Sequence, residues 1–365
     1  MSGGGLMSGG GPMSASRPGA AEGAFSRLHR AVFSLRVEEF ATLLLFAPMA
    51  YALARMSATH ADTLSGAAAS YPGALPRLLA LVLATAFFLW VVRVKPRWRF
   101  VRDMMPFLFC ANIYASLHDL IHFFNAPDIT AALYRWDLAI FGFEPTVWAE
   151  RFVNPVLTDF LTVCYWLFYV LPPTLGLILY LRKDRPAFRY TMVAVVLCLY
   201  LGYIGYVAWP ASAPRLFIPG AYSVPLHGTA LLDYTRTAAA AVPLTAYGAF
   251  PSLHCAGAIL AVLLAWRYQR WFAWVQLPFA TGLVFGTVYL RHHWVVDIFA
   301  GLVITLIAFW AGPRLEDLWN KQSAGPRRGE VEAEGAAESA ISDGAAGKGR
   351  EPVPGSRVAA KVMES

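Results

Sequence analysis

Eight apolar runs constrain this chain more than any other feature. They are Glu39–Arg55, Leu75–Val94, Met104–Phe124, Val156–Leu181, Tyr190–Trp209, Phe250–Trp266, Trp271–Leu290 and Trp294–Trp310. A run of ~20 apolar residues matches the thickness of a bilayer core. Such a segment satisfies its own backbone hydrogen bonds as a helix. The predicted fold is therefore all-α, a polytopic transmembrane bundle of about eight spans. Composition agrees: 57% of residues are hydrophobic and only 15% charged, too apolar for a soluble domain of 365 residues. The run Val156–Leu181 exceeds one span and holds Pro172-Pro173, which predicts a kink. Asp128–Trp148 is amphipathic and too interrupted to span, which places it on the membrane surface.

The flanks differ in kind. Residues 1–24 are rich in Gly, Ser and Met and cannot bury a core. Residues 314–365 mix Gly, Ala, Glu and both charge signs. Both are predicted to be disordered around a membrane-embedded domain at 25–313. No cleavable leader is expected, because the first apolar run resembles a full span. Cys110, Cys164, Cys198 and Cys255 lie in or beside apolar runs, with spacing that fits neither a disulfide framework nor a zinc site. They are expected to be free, buried thiols.

The net charge of +7 could suggest nucleic acid, but the basic residues fall in clusters between runs. Arg93, Lys95, Arg97, Arg99 and Arg102 follow the second run, and Arg182, Lys183, Arg185 and Arg189 follow the fourth. Arg267 and Arg270 follow the sixth. All these clusters fall on one side by parity, which predicts that side, with both termini, to be cytoplasmic. The loop 210–247, His254 and His293 then share the extracytoplasmic side. No nucleic-acid partner is expected.

Two motifs border the hydrocarbon there: Gly248-Ala249-Phe250-Pro251-Ser252-Leu253-His254 and Arg291-His292-His293-Trp294-Val295-Val296-Asp297. Ionisable groups in such places tend to mark function. His293 and Asp297 are four apart, so on a helix the carboxylate can orient the imidazole. That suits His293 to nucleophilic attack on phosphorus, with His254 protonating the leaving alkoxide. Arg215 and Arg291 would offset phosphoryl charge, Ser252 would donate a hydrogen bond, and Gly248 would let backbone approach phosphate closely. The scheme calls for no metal and no cofactor. A His-Asp pair alone is weak evidence; joined to Pro-Ser-x-His at a neighbouring helix mouth on the same face, it favours chemistry over structure. Cys255 points ~100° around the helix from His254 and is expected in the core.

Pro251-Ser252-Leu253-His254 and His293-Trp294-Val295-Val296-Asp297 resemble the second and third signatures of the type 2 phosphatidic acid phosphatase superfamily. Gly248–His254, Arg291-His292-His293, Ala213-Pro214-Arg215 and the stretch Asp137–Thr146 are most similar to its inositolphosphotransferase branch, which includes fungal inositol phosphorylceramide synthase. The resemblance covers roughly Asp119–Gly312. It implies a six-helix phosphatase-like core, metal-independent chemistry, His293 as nucleophile, His254 as acid and Asp297 as orienter. The first signature is not intact: Lys183-Asp184-Arg185-Pro186 has the wrong spacing and face. Its phosphate-binding role passes to Arg215. The third normally carries an Arg six residues before its His, where Thr287 stands, and Arg291 is the expected substitute.

The substrate would be a membrane lipid phosphate, with water or an alcohol or lipid as acceptor. His118, Asp119 and His122, with Asp128–Trp148, are candidates for a headgroup or acceptor subsite. His118 and His122 have metal-ligand spacing, yet no third ligand is apparent, so no metal is expected. The rivals are a simple lipid phosphate phosphatase of phosphatidic acid or polyprenyl phosphate type, and a non-catalytic lipid-binding or transport protein. The intact histidines and the lack of internal repeats argue against the last.

Overall fold

A computed structural model describes residues 27–29, 31–63, 74–94, 98–124, 126–229, 233 and 247–324, without the side chains of 59–63, 74, 118, 119, 122 and 324. The predicted tails at 1–24 and beyond 324 lie outside the described residues. The chain divides into a compact unit ending at Trp319 and a second beginning at Asn320. The second is described only as the last residues of the final helix.

All eight apolar runs are helical. We label the helices α1 (Val37–Thr63), α2 (Ala74–Val94), α3 (Arg99–Phe124), α4 (Thr130–Phe141), α5 (Pro145–Trp148), α6 (Pro155–Leu167), α7 (Leu171–Leu181), α8 (Arg185–Ala208), α9 (Pro214–Phe217), α10 (Leu253–Tyr268), α11 (Arg270–Tyr289) and α12 (Val295–Ala324). Among the described residues, α1, α2, α8, α11 and α12 are long and apolar enough to cross a membrane. Helices α6 and α7, bent by 45° at a short break, reach that length and apolarity only as a pair, the pattern of a broken span or a re-entrant loop. The run Val156–Leu181 breaks where Pro172 and Pro173 enter, because prolines at the first helical positions start a new helix more readily than they continue an old one. Helices α3 and α10 fall short of that test, so the predicted eight spans become five or six by length and composition, with the same segments helical. The protein is an integral membrane protein of all-helical fold.

Local chemistry sets the boundaries. Asn154 accepts the N–H of Leu157 ahead of Pro155, and Asp184 accepts that of Ala187 ahead of Pro186. Gly142 closes α4 at φ 71°, a left-handed conformation that glycine adopts without a Cβ penalty. Side-chain volume sets the packing. A Cβ added at Gly301 of α12 would lie 2.6 Å from the Ser252 carbonyl oxygen, so glycine lets α12 close onto the mouth of α10. The four cysteines are free and buried, as expected.

The basic side of the bundle is not a row of solvated charges. Arg189 of α8 binds both Glu38 of α1 and Glu316 of α12, at 2.7 and 2.9 Å. Asp103 of α3 takes Arg36 and Arg185, each at 2.7 Å, and Arg102 binds Glu39 at 2.6 Å. Glu38, Glu39 and Asp103 are buried. This corrects the boundary at 314: residues 314–324 continue α12, and Glu316 holds the helix against α8.

Candidate active site

The site forms where three loops meet. Ala249 N–H donates to Ala211 O at 3.0 Å, and Ala211 N–H to Tyr247 O at 3.2 Å, so the Gly248 loop pairs with the loop after α8. Arg215 N–H donates to Arg291 O, and Ser252 N–H to the carbonyl of Asp297 at 3.1 Å. The two motifs, far apart in the chain, are thus tied backbone to backbone.

Within this frame the structure brings His293, Asp297 and His254 together. His293 lies in the loop between α11 and α12, buried. Its Nδ1 faces the Ala249 carbonyl at 2.9 Å and Asp297 Oδ2 at 3.4 Å. Both partners are acceptors, so Nδ1 carries the proton and Nε2 keeps the lone pair. Burial lowers its pKa to about 4, the Ala249 bond raises it, and the Arg215 charge lowers it; the ring is neutral near pH 7. Asp297 is the expected orienter of His293. Its shorter bond goes to Trp294 N–H at 2.9 Å, capping α12, and the Ala249 carbonyl shares the orienting role.

His254 opens α10, with its ring centroid 5.8 Å from that of His293, close enough for one phosphorus to be reached from both sides. Tyr165 stacks on His254 at 4.4 Å and on His292 at 4.7 Å, and Phe168 completes the aromatic wall at 4.8 Å. The hydroxyls of Tyr165 and Tyr169 lie 3.4 Å from His254 Nδ1 and Nε2. Ser252 is fully buried and its hydroxyl accepts the Cys255 N–H, so it caps α10. Gly248 sits in the loop pairing described above. Cys255 is buried beside Thr287.

The two arginines separate. The Arg215 guanidinium donates to His292 Nδ1, which rests on Tyr165 beside His254. Arg291 turns away. Its guanidinium bonds Glu150 at 2.8 Å and the Val224 carbonyl, and lies 4.0 Å over Tyr222. Burial opposes ionisation of Glu150, but the Val224 N–H, the Ser223 hydroxyl and N–H, and Arg291 outweigh it and hold its pKa below the usual range. Arg291 does so at φ 62°, a conformation that costs a non-glycine residue ~1–3 kcal/mol. It therefore braces the loop rather than filling the place of the missing arginine. Thr287 is buried and its carbonyl receives the N–H groups of His292 and His293, at 2.8 and 3.1 Å.

One residue went unnoticed as part of the site. Asp137 of α4 is buried and its carboxylate accepts the N–H groups of Val295 and Val296, at 2.8 and 3.0 Å. It caps the helix that carries Asp297. Thr130 likewise accepts the Ser212 N–H at 2.8 Å. Trp294, fully buried, packs on Tyr134 and donates from Nε1 to Ser212 O. The stretch Asp128–Trp148 thus scaffolds the loops that carry the two motifs. In the sequence Asp137 shows only as the first residue of the branch-like stretch Asp137–Thr146 and as an acidic residue within an amphipathic segment. His118, Asp119 and His122 lie on α3, and their side chains are outside the described residues.

Comparison with known proteins matches residues 131–311 to the PAP2 superfamily. An inositol phosphorylceramide synthase of Candida albicans is 42% identical over 17% of this chain and 13% of its own length. A phosphoinositol dihydroceramide synthase of Bacteroides thetaiotaomicron is 22% identical over 63% of this chain and 82% of its own length. A PA-phosphatase related-family protein of Dictyostelium discoideum is 27% identical over 28% of the chain and 19% of its own length. The chain thus spans only a small part of the first and third relatives. No solved structure gives a significant match.

Proposed function

The chain belongs to the PAP2 superfamily through residues 131–311, and from that premise we propose that it transfers a phospho-headgroup between lipid alcohols through a phosphohistidine. The observation that carries this is the pair of oxygens at His293 Nδ1, the Ala249 carbonyl and Asp297 Oδ2, which engages Nδ1 and leaves Nε2 for attack. In the first half-reaction Nε2 bonds to phosphorus, the bond from phosphorus to the lipid alkoxide breaks, and His254, entering as the imidazolium beside the anionic phosphate, gives its proton to that oxygen and becomes neutral. Arg215, held by His292, offsets charge on the phosphoryl oxygens. In the second, His254 takes the proton of an incoming hydroxyl, whose oxygen displaces Nε2.

The names of the Candida and Bacteroides relatives favour phosphoinositol as the group and a ceramide-type alcohol as acceptor. The scaffolding role of Asp128–Trp148 leaves hydrolysis versus transfer to be decided by the acceptor's own binding. The Lys/Arg clusters support an active site on the extracytoplasmic face with cytoplasmic termini. The test is partitioning: purified protein is given phosphatidylinositol with rising ceramide or polyol, and transfer product is counted against hydrolysis product by mass spectrometry. Transfer product that rises with acceptor at the expense of hydrolysis supports the reading. A ratio that no alcohol changes leaves a simple phosphatase.

A further inference from the structure

We propose that the cavity below His254, between α3, α7, α8 and α10, seats the hydrocarbon chain of the lipid alcohol that leaves phosphorus, and then that of the alcohol that replaces it. This rests on the phosphohistidine reading above. The cavity holds about 260 Å³ and its walls include Ala111, Tyr114, Leu199, Tyr203, Leu253 and His254. Tyr203 directs its hydroxyl to the Cys110 carbonyl at 3.2 Å, so it satisfies that group within the wall. One end is polar, where His254 meets the Tyr169 hydroxyl, and the remainder is apolar.

The position decides the occupant. His254 lines the cavity; His293, Asp297 and Arg215 do not. The space therefore adjoins the acid and not the nucleophile or the phosphate clamp. In the first half-reaction the oxygen that receives the His254 proton belongs to the departing lipid alcohol, so the rest of that alcohol must continue from His254. In the second, the same imidazole takes the proton of the arriving hydroxyl, which must approach along the same line. A larger outer groove of about 1010 Å³, lined by Phe143, Phe160 and Phe285, touches none of His254, His293 or Arg215. A chain lying there would not carry its oxygen to the acid.

The volume also limits the occupancy. Pockets for whole small ligands run to roughly 300–1,000 Å³, so this one holds part of one chain and not two lipid alcohols together. With a phosphohistidine between the two half-reactions the kinetics are ping-pong, and the released alcohol competes with the acceptor for the cavity.

Two variants on different helices, Leu199→Trp and Ala111→Phe, narrow the cavity. With dihexadecanoyl and dihexanoyl phosphatidylinositol as donors, the long-to-short ratio of kcat/KM should fall about tenfold in each, the effect of losing burial of one or two methylenes. A ratio equal to wild type in both variants overturns the proposal. A second measurement needs no turnover: phosphatidylinositol bearing a diazirine on its acyl chain is photolysed with His293→Ala protein in membranes, and adducts are mapped by mass spectrometry. Adducts on α3 and α8 support the cavity. Adducts confined to Phe143, Phe160 and Phe285 overturn it. A wild-type protein that cleaves no lipid phosphoester counts against the phosphohistidine reading, and the photolysis still decides the cavity by itself.

Discussion

His293 Nδ1 lies closer to the Ala249 carbonyl, at 2.9 Å, than to Asp297, at 3.4 Å. The Ala249 carbonyl, a backbone group of the motif that holds the candidate acid His254, therefore shares with Asp297 the orienting of the candidate nucleophile. In a triad held by a carboxylate alone, neutralising that carboxylate costs about 10⁴ in kcat because the tautomer is lost. Here the carbonyl keeps the tautomer. Asp297→Asn should lose only about 10²-fold in kcat, while His293→Ala should abolish turnover and any acid-labile phosphoenzyme. Equal losses in rapid-quench assays would assign the orienting role to Asp297 alone.

Asp137→Ala should behave as a positioning defect. Two N–H groups at the start of α12 lose their acceptor, at about 1–3 kcal/mol of stability. A displacement of His293 by ~1 Å would cost ~10² in kcat with little change in KM. Faster hydrogen exchange at Val295 and Val296 should accompany it. Unchanged exchange with unchanged kcat would show that α12 holds its place without Asp137.

Arg215 and Arg291 should separate in kinetics. Arg215→Ala removes the cation held beside the site and should lower kcat/KM by about 10²–10³. Arg291→Ala breaks its contacts with Glu150 and Tyr222 and should lower thermal stability by about 1–3 kcal/mol, an effect Glu150→Gln should reproduce in part. A larger rate loss in Arg291→Ala than in Arg215→Ala would reverse the assignment.

The acid limb of activity follows from burial of His293. Its pKa is lowered to about 4, so the neutral nucleophile persists as pH falls below the usual histidine range and is lost only as pH passes through about 4. With an aryl phosphate, whose leaving group needs little protonation, single-turnover phosphoenzyme formation should stay flat from pH 7 to about 5. A midpoint near 6.5 would mean that His293 is open to water.

Arg189→Ala should be the most destabilising of the substitutions considered. It leaves Glu38 buried without its guanidinium and releases Glu316, and breaking such a pair costs about 3–5 kcal/mol. The melting temperature in detergent should fall well below that of Arg93→Ala. Equal melting of the two would mean that the charges are solvated.

The sequence by itself determined the helices and the two motifs. A bilayer selects for run length and apolarity, which are local properties, and so all eight runs are helices here. Pro172-Pro173 marked the break at the right place because proline acts on its own backbone. Tertiary structure decided which charges serve the site. Arg215 and Arg291 look alike in the chain, and only the fold gives one to His292 and the other to Glu150. Asp137 reaches Val295 across 158 residues, a distance over which no periodicity carries information. The residues after Arg314 looked polar enough to be a tail, yet Glu316 meets Arg189 and α12 runs on. A polar side chain's role depends on the partner it is folded against, and hydropathy cannot express that partner.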